Sequence, residues 1–233
     1  MMDRGLYIAA SGMVAQELRQ DQLSNELANA STPGYKPDRV GQRSFEQLLI
    51  GNTATGQSIG AIDLGVQAIQ EGTNLAPQPL HPTGQPLDFG IEGTGYFAVR
   101  TAQGVRYTRD GQFSSGAQGL LVDGSGDPVL GPGGNTIAVS GGRVAPTALV
   151  VFLLGNVTKV GDSQFTGTPA GRSIASVQVG SLEDSGVDTT QTMVDVLANY
   201  RYYQSGQQSI QAINADMRLA ATQVGNLGGG AGG

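Results

Sequence analysis

The sequence predicts an α+β fold: helices from the two ends of the chain form one discontinuous coiled-coil domain that encloses an antiparallel all-β domain. Three observations carry this expectation. Residues 190–224 repeat every seven positions, residues 6–30 do the same, and the stretch between them is a series of short apolar runs separated by glycine-rich turns.

Near the C-terminus, Met193, Tyr200, Gln207, Asn214 and Ala221 share one heptad position, and Val196, Tyr203, Ile210, Met217 and Val224 fall three residues later. Such spacing places a mostly apolar seam along one helix face, built to meet another helix. Gly206 interrupts the run at about 1 kcal/mol relative to Ala. The partner lies at the other end of the chain. Leu6, Met13, Gln20 and Leu27 repeat against Ala9, Gln16, Leu23 and Ala30, until Ser31-Thr32-Pro33-Gly34 ends the helix. Pro33 disfavours helical geometry in Thr32, and Gly34 supplies a turn.

Antiparallel pairing of the two seams puts Gln16 opposite Asn214 and Gln20 opposite Gln207, amide on amide. It also puts Leu6 with Val224, Met13 with Met217, Leu23 with Tyr203 and Leu27 with Tyr200. Polar layers in a seam trade stability for register. These residues, with Met193, Val196 and Ile210, are the expected assembly interface.

Residues 1–35 are therefore expected as the N-terminal helix, and 36–80 as an extended connector with a little strand. Within the connector, Phe45, Leu48, Leu49 and Ile50 suggest a short helical turn. Residues 81–180 are the β-domain. Strand signals run through Phe89, Ile91, Tyr96-Phe97-Ala98-Val99 and residues 105–108, with Arg109-Asp110-Gly111-Gln112 as a tight turn. Leu120 to Val122, Val129-Leu130, Ile137 to Val139, residues 148–154 and 173–179 continue the series. Val150 to Leu154 is the most apolar run and is expected at the sheet centre. Residues 181–227 form the C-terminal helical segment, and 228–233 a flexible Gly-rich tail.

Composition narrows the function. A formal net charge of −6 and an isoelectric point near 4.6 oppose nucleic-acid binding, which needs a basic face. With no Cys and one His, thiolate catalysis, Cys-based zinc sites and most catalytic dyads drop out. No run reaches the roughly 20 apolar residues of a membrane span. Residues 1–16 lack the long apolar core of a secretory signal and read as part of the mature protein. Gly90-Ile91-Glu92-Gly93-Thr94-Gly95 lacks the Lys and the strand-then-helix setting of a phosphate loop, so it reads as a β-turn. Asp123, Asp127 and Asn135 miss the calcium-loop spacing. His81 stands without a metal-type partner, and Glu183-Asp184 suits a helix start. No catalytic residue, cofactor or metal is expected.

Several segments resemble the bacterial flagellar rod and hook family of axial proteins. Leu6-Tyr7-Ile8-Ala9-Ala10-Ser11-Gly12-Met13 and Leu27-Ala28-Asn29-Ala30-Ser31-Thr32-Pro33-Gly34-Tyr35-Lys36 are similar to its N-terminal signature. Thr83 to Ile91, Gly95-Tyr96-Phe97, Tyr107-Thr108-Arg109-Asp110-Gly111 and Gly119-Leu120-Leu121-Val122 resemble its β-domain. Gly180 to Asp188 and Met193 to Met217 resemble its C-terminal signature. Gly186 and Glu26 stand where Asn is common, and residues 137–166 are shorter than usual, which implies a missing strand pair.

The resemblance implies a structural subunit of the flagellar basal body. Such a subunit passes uncleaved through the flagellar type III export apparatus and polymerises with copies of itself and other rod and hook proteins into a torque-bearing tube. The opening residues and Val129-Leu130-Gly131-Pro132 look closer to the proximal rod type, and the distal type is also similar. The other expectation from the residues is a secreted, oligomeric β-domain that binds glycan or protein, for which exposed aromatics on the strands would speak.

Overall fold

The computed structural model describes residues 2–44, 48–51, 58–62, 66–161 and 163–228. The chain divides into two compact units. The first gathers Met1–Asn25, Arg39–Gly72 and Thr190–Gly233; the second holds Glu26–Asp38 and Thr73–Thr189.

In the first unit, helix α1 (Met2–Ala28) meets helix α2 (Thr189–Gly228), whose 40 residues extend about 60 Å. The helices are antiparallel: Asn199 meets Gln16, Gly206 meets Met13 and Ile213 meets Gly5, one number rising as the other falls. Two strands, β1 (Asp38–Ser44) and β4 (Val66–Thr73), pair with each other. Arg19 Nη1 on α1 donates to Val40 O at 2.7 Å, and Val66 N–H donates to Ser11 Oγ at 3.4 Å. The strand pair therefore lies along α1. Between them β2 (Leu48–Gly51) and β3 (Ser58–Ile62) form an antiparallel pair. Residues 36–80 carry more strand than the little expected of the connector, in two antiparallel pairs. Leu48, Leu49 and Ile50 lie in a strand rather than a helical turn, and Phe45 lies outside the described residues, as does the tail beyond Gly228.

The second unit is antiparallel β throughout its registered strand pairs. Strands β5 (Leu80–Pro82), β6 (Phe89–Glu92), β7 (Phe97–Thr101) and β8 (Gly104–Thr108) are followed by β9 (Ser114–Ser115), β10 (Leu121–Val122) and β11 (Val129–Leu130). Beyond these come β12 (Phe152–Lys159), β13 (Gln164–Arg172), β14 (Ser176–Val179) and β15 (Ser181–Glu183). One five-stranded sheet runs β11-β7-β8-β13-β12, while β14 pairs with β6, β15 with β5 and β10 with β9. Phe89, Ile91, Phe97, Val99, Phe113, Leu121 and Val129 make the main core, and Phe97 meets Phe113 edge-on at 5.3 Å. Tyr96, Ala98, Tyr107, Leu130 and Phe165 form a second cluster on the other face of β7. Alternation along β7 feeds both clusters, as a period of two requires.

The apolar run Val150 to Leu154 is not central. Val150 and Val151 precede β12, which lies at the end of the sheet order, and β8 takes the middle. Val151 enters the main core from extended backbone whose carbonyl accepts from Ser173 N–H at 2.8 Å. Its apolarity records burial, not ladder position. Strand β13, Gln-Phe-Thr-Gly-Thr-Pro-Ala-Gly-Arg, escaped the sequence pattern because its exposed half carries no alternating apolar residues.

Candidate assembly site

The covered stripe of α2 comprises Thr192, Val196, Asn199, Tyr203, Gly206, Ile210, Ile213, Met217 and Ala220, spaced alternately by four and three. Val196, Tyr203, Ile210 and Met217 were expected there. The alternate position, however, belongs to Thr192, Asn199, Gly206 and Ile213, one residue before the expected set. Met193, Tyr200, Gln207 and Asn214 are exposed instead. On α1 the placement agrees better: Leu23 is buried, Leu6, Met13, Gln16 and Gln20 are half-buried, and Leu27 is exposed. The Val224 side chain lies outside the described residues.

The register also differs. Gln16 and Gln20 face Asn199, not Asn214 and Gln207, and Met13 faces Gly206, not Met217. Small and amide residues decide it. At Gly206 an added Cβ would stand 2.9 Å from Met13 Cγ, so glycine admits the Met13 side chain at the closest approach. Asn199 is 5% exposed and its Nδ2 donates at 2.9 Å to both Gln16 O and Gln20 Oε1. Since a main-chain carbonyl only accepts, that bond orients the amide and leaves Asn199 Oδ1 without a partner among the described residues. Ranking positions by apolarity, which favours Met193 and Tyr200 over Thr192 and Asn199, misses a contact made through small and polar groups.

The second unit carries a feature the sequence did not disclose, a buried ionic triad. Glu183 on β15 takes Lys36 Nζ on Oε1 at 2.7 Å and Arg109 Nη1 on Oε2 at 2.8 Å, with no side chain more than 2% exposed. Lys36 Nζ also donates to Ala76 O at 2.6 Å, Gln78 N–H donates to Glu183 Oε1, and Arg109 Nη2 donates to Gly93 O. The Arg109 guanidinium lies 5.4 Å from the Tyr96 ring centroid. Burial pushes the Lys36 ammonium below its ordinary range, Glu183 opposes that through its hydrogen bond and charge, and Arg109 adds to it.

Backbone closes the same junction. Gly34 N–H donates to Glu183 O and Gly186 N–H to Tyr35 O, both at 2.9 Å, and Ser185 Oγ donates to Asn29 O. Gly34 has φ +65°, and a Cβ there would meet the Arg109 carbonyl carbon at 2.5 Å, so only glycine fits. The segments that follow α1 and precede α2 are thereby stitched together beside the end of β8. Each triad member lies in a family-like segment, which was the available signal; their separations of 147 and 74 residues hid the contact.

His81 does have a partner, contrary to expectation: its Nδ1 lies 2.6 Å from Asp184 Oδ1, both side chains about half exposed, across the β5–β15 pair. Asp123 accepts from Ser125 N–H and Asp127 N–H, a turn rather than an ion cage. Among the described residues no group of three or more His, Asp or Glu side chains could hold a metal ion, and no helix is long and apolar enough to cross a membrane.

Three family descriptions match in chain order: the flagella basal body rod protein over residues 6–36, the flagellar hook protein FlgE/F/G D1 domain over 90–158, and the flagellar basal body rod FlgEFG protein C-terminal region over 178–223. The chain belongs to the flagellar basal-body rod protein family, whose place is the flagellar basal body, and it is a structural protein rather than an enzyme. It is 29% identical to the flagellar basal-body rod protein FlgF of Caulobacter vibrioides, over 97% of this chain and 100% of that one. It is 35% identical to the flagellar basal-body rod protein FlgG of Bacillus subtilis over 68% of this chain and 60% of the relative. The flagellar hook-basal body complex protein FlhO of Bacillus subtilis is 29% identical over 97% and 100%.

Proposed function

We propose that this chain is a rod subunit that polymerises through its terminal helices, with copies of itself and other rod and hook proteins, into a helical shaft that transmits torque. Delivery is through the flagellar type III export apparatus, and the two helices form the coiled-coil part of each subunit. The observation that carries this is where apolar surface remains uncovered. Among the described residues, eleven of the fifteen exposed large hydrophobics lie on α1 and α2: Tyr7, Ile8, Val14, Leu18, Leu27, Met193, Val194, Leu197, Tyr200, Tyr202 and Leu219. Exposed apolar side chains gathered on two helices suit a protein contact.

The rival glycan- or protein-binding β-domain needs exposed aromatics on its strands. Among the described residues the exposed aromatics Tyr7, Tyr200 and Tyr202 are all helical, while Phe89, Tyr96, Phe97, Tyr107, Phe113 and Phe165 are buried. Replacing Val196, Ile210 and Met217 together by Asp places charge in the covered stripe, at a cost of several kcal/mol. Rods and motility are expected to fail in a strain that relies on this variant, while the β-domain melt stays near that of the parent. A motile strain would remove the helices from the function.

A further inference from the structure

The exposed helical residues form two separate stripes. On α1, Tyr7, Val14 and Leu18 recur at steps of seven and four and are 59%, 56% and 50% exposed. At 100° per residue they lie roughly 160° round from the side that meets α2. On α2, Met193, Leu197 and Tyr200 recur at four and three, roughly 100° round from the covered stripe. Each stripe has the spacing of a helix-receiving face, and the two occupy different faces of the first unit.

Their flanking charges are opposite. Beside Val14 and Leu18 stand Glu17 and Asp21, both exposed; beside Leu197 and Tyr200 stands Arg201, also exposed. None of the three enters an ion pair among the described residues, and Arg19, which follows Leu18, turns away to Val40 O.

We propose that the α1 stripe of one copy docks on the α2 stripe of a second copy, Glu17 and Asp21 pairing with its Arg201. The contact rests on the polymerisation reading and gives it a direction. Two different patches on one chain make a head-to-tail contact, which propagates into a ring or filament instead of closing as a symmetric pair. The chemistry is apolar at the centre and ionic at the rim, so charge sets partner choice and encounter more than affinity.

Because the chain has no cysteine, single thiols report the contact cleanly. Full-length Leu18→Cys chains mixed with full-length Leu197→Cys chains should form the mixed disulfide on assembly. Arg201→Glu in the second chain should lower its yield at least tenfold, and Glu17→Arg with Asp21→Arg in the first should restore it. All these sites are exposed, and an unchanged circular dichroism melt confirms that the variants fold. Assemblies that form without the mixed disulfide, or a disulfide indifferent to the charge reversal, overturn the docking and leave the rod reading standing. A full-length chain that neither assembles nor restores rods to cells lacking it takes away both.

Discussion

The two units solve different problems with the same chain. The β-domain buries Phe89, Phe97, Val99, Leu121, Val129 and Phe165 completely and adds a sealed ionic triad. In the helical unit, by contrast, the described hydrophobics that reach full burial are Ala15 and Leu23, joined by the polar Thr192 and Asn199. A buried Phe or Leu is worth about 1.5–3 kcal/mol, and helices gain most of their stability from packed faces. Among the described residues, the first unit therefore buries fewer large apolar side chains and exposes more of them than the second. On the proposed reading the difference separates folding from assembly: one unit buries its large apolar side chains, and the other exposes them where a neighbour would dock.

The largest expected effect breaks the self-sufficient unit. Glu183→Ala leaves the Lys36 and Arg109 charges buried without their anion, which should cost about 3–5 kcal/mol and show as a lowered β-domain Tm. Near-parental Tm would mean that the triad contributes nothing and that the units do not differ in this way.

Next in size is pH. Burial raises the Asp110 carboxyl to about 6; the Gln112 N–H opposes this, while Asp123 and Asp88 add to it. Its folded pKa exceeds its unfolded value, so the folded state binds the proton more tightly. The resulting stability is present below about pH 4 and is lost as pH rises through about 6. Discounted for partial exposure, the loss is about 2 kcal/mol. Asp110→Asn keeps an oxygen for the Gln112 N–H and should flatten urea-derived stability across that window; an unchanged slope would assign the effect elsewhere.

Within the helical unit, Gly206→Ala gains roughly 1 kcal/mol of helix propensity against about 1–3 for the forced contact with Met13. A net loss near 1 kcal/mol in the 222 nm melt is expected, and Met13→Ala in the same chain should reverse its sign. Smallest of all, Met193→Ser with Tyr200→Ser should stay within about 0.5 kcal/mol of the parent, as exposed sites do. The same pair is expected to abolish filaments seen by electron microscopy, and filaments of normal length would show that this face is not used.

Much of the fold was legible. Period-seven spacing revealed α1 and α2 because helix faces repeat, and Tyr96-Phe97-Ala98-Val99 announced β7 because a strand buried on both faces is continuously apolar. Where side chains do not alternate, legibility ended: β1 and β4 are held by backbone bonds and by Arg19, and β13 spells Thr-Gly-Thr-Pro over half its length. One of the two seam positions on α2 was read one residue late, because Asn199 acts through a hydrogen bond and Gly206 through an absence of atoms; the other, Val196, Tyr203, Ile210 and Met217, lies in the covered stripe as expected. The triad is a long-range coincidence of Lys36, Arg109 and Glu183 that no local window contains.

Chain direction gives that triad a further meaning. Synthesis proceeds from the N-terminus, so Lys36 and Arg109 both emerge well before Glu183, the anion that neutralises them. Until residue 183 is free, burying the two cations together is electrostatically unfavourable, and the Gly34 N–H has no Glu183 carbonyl to donate to. Closure of the junction therefore waits until residue 183 has been made.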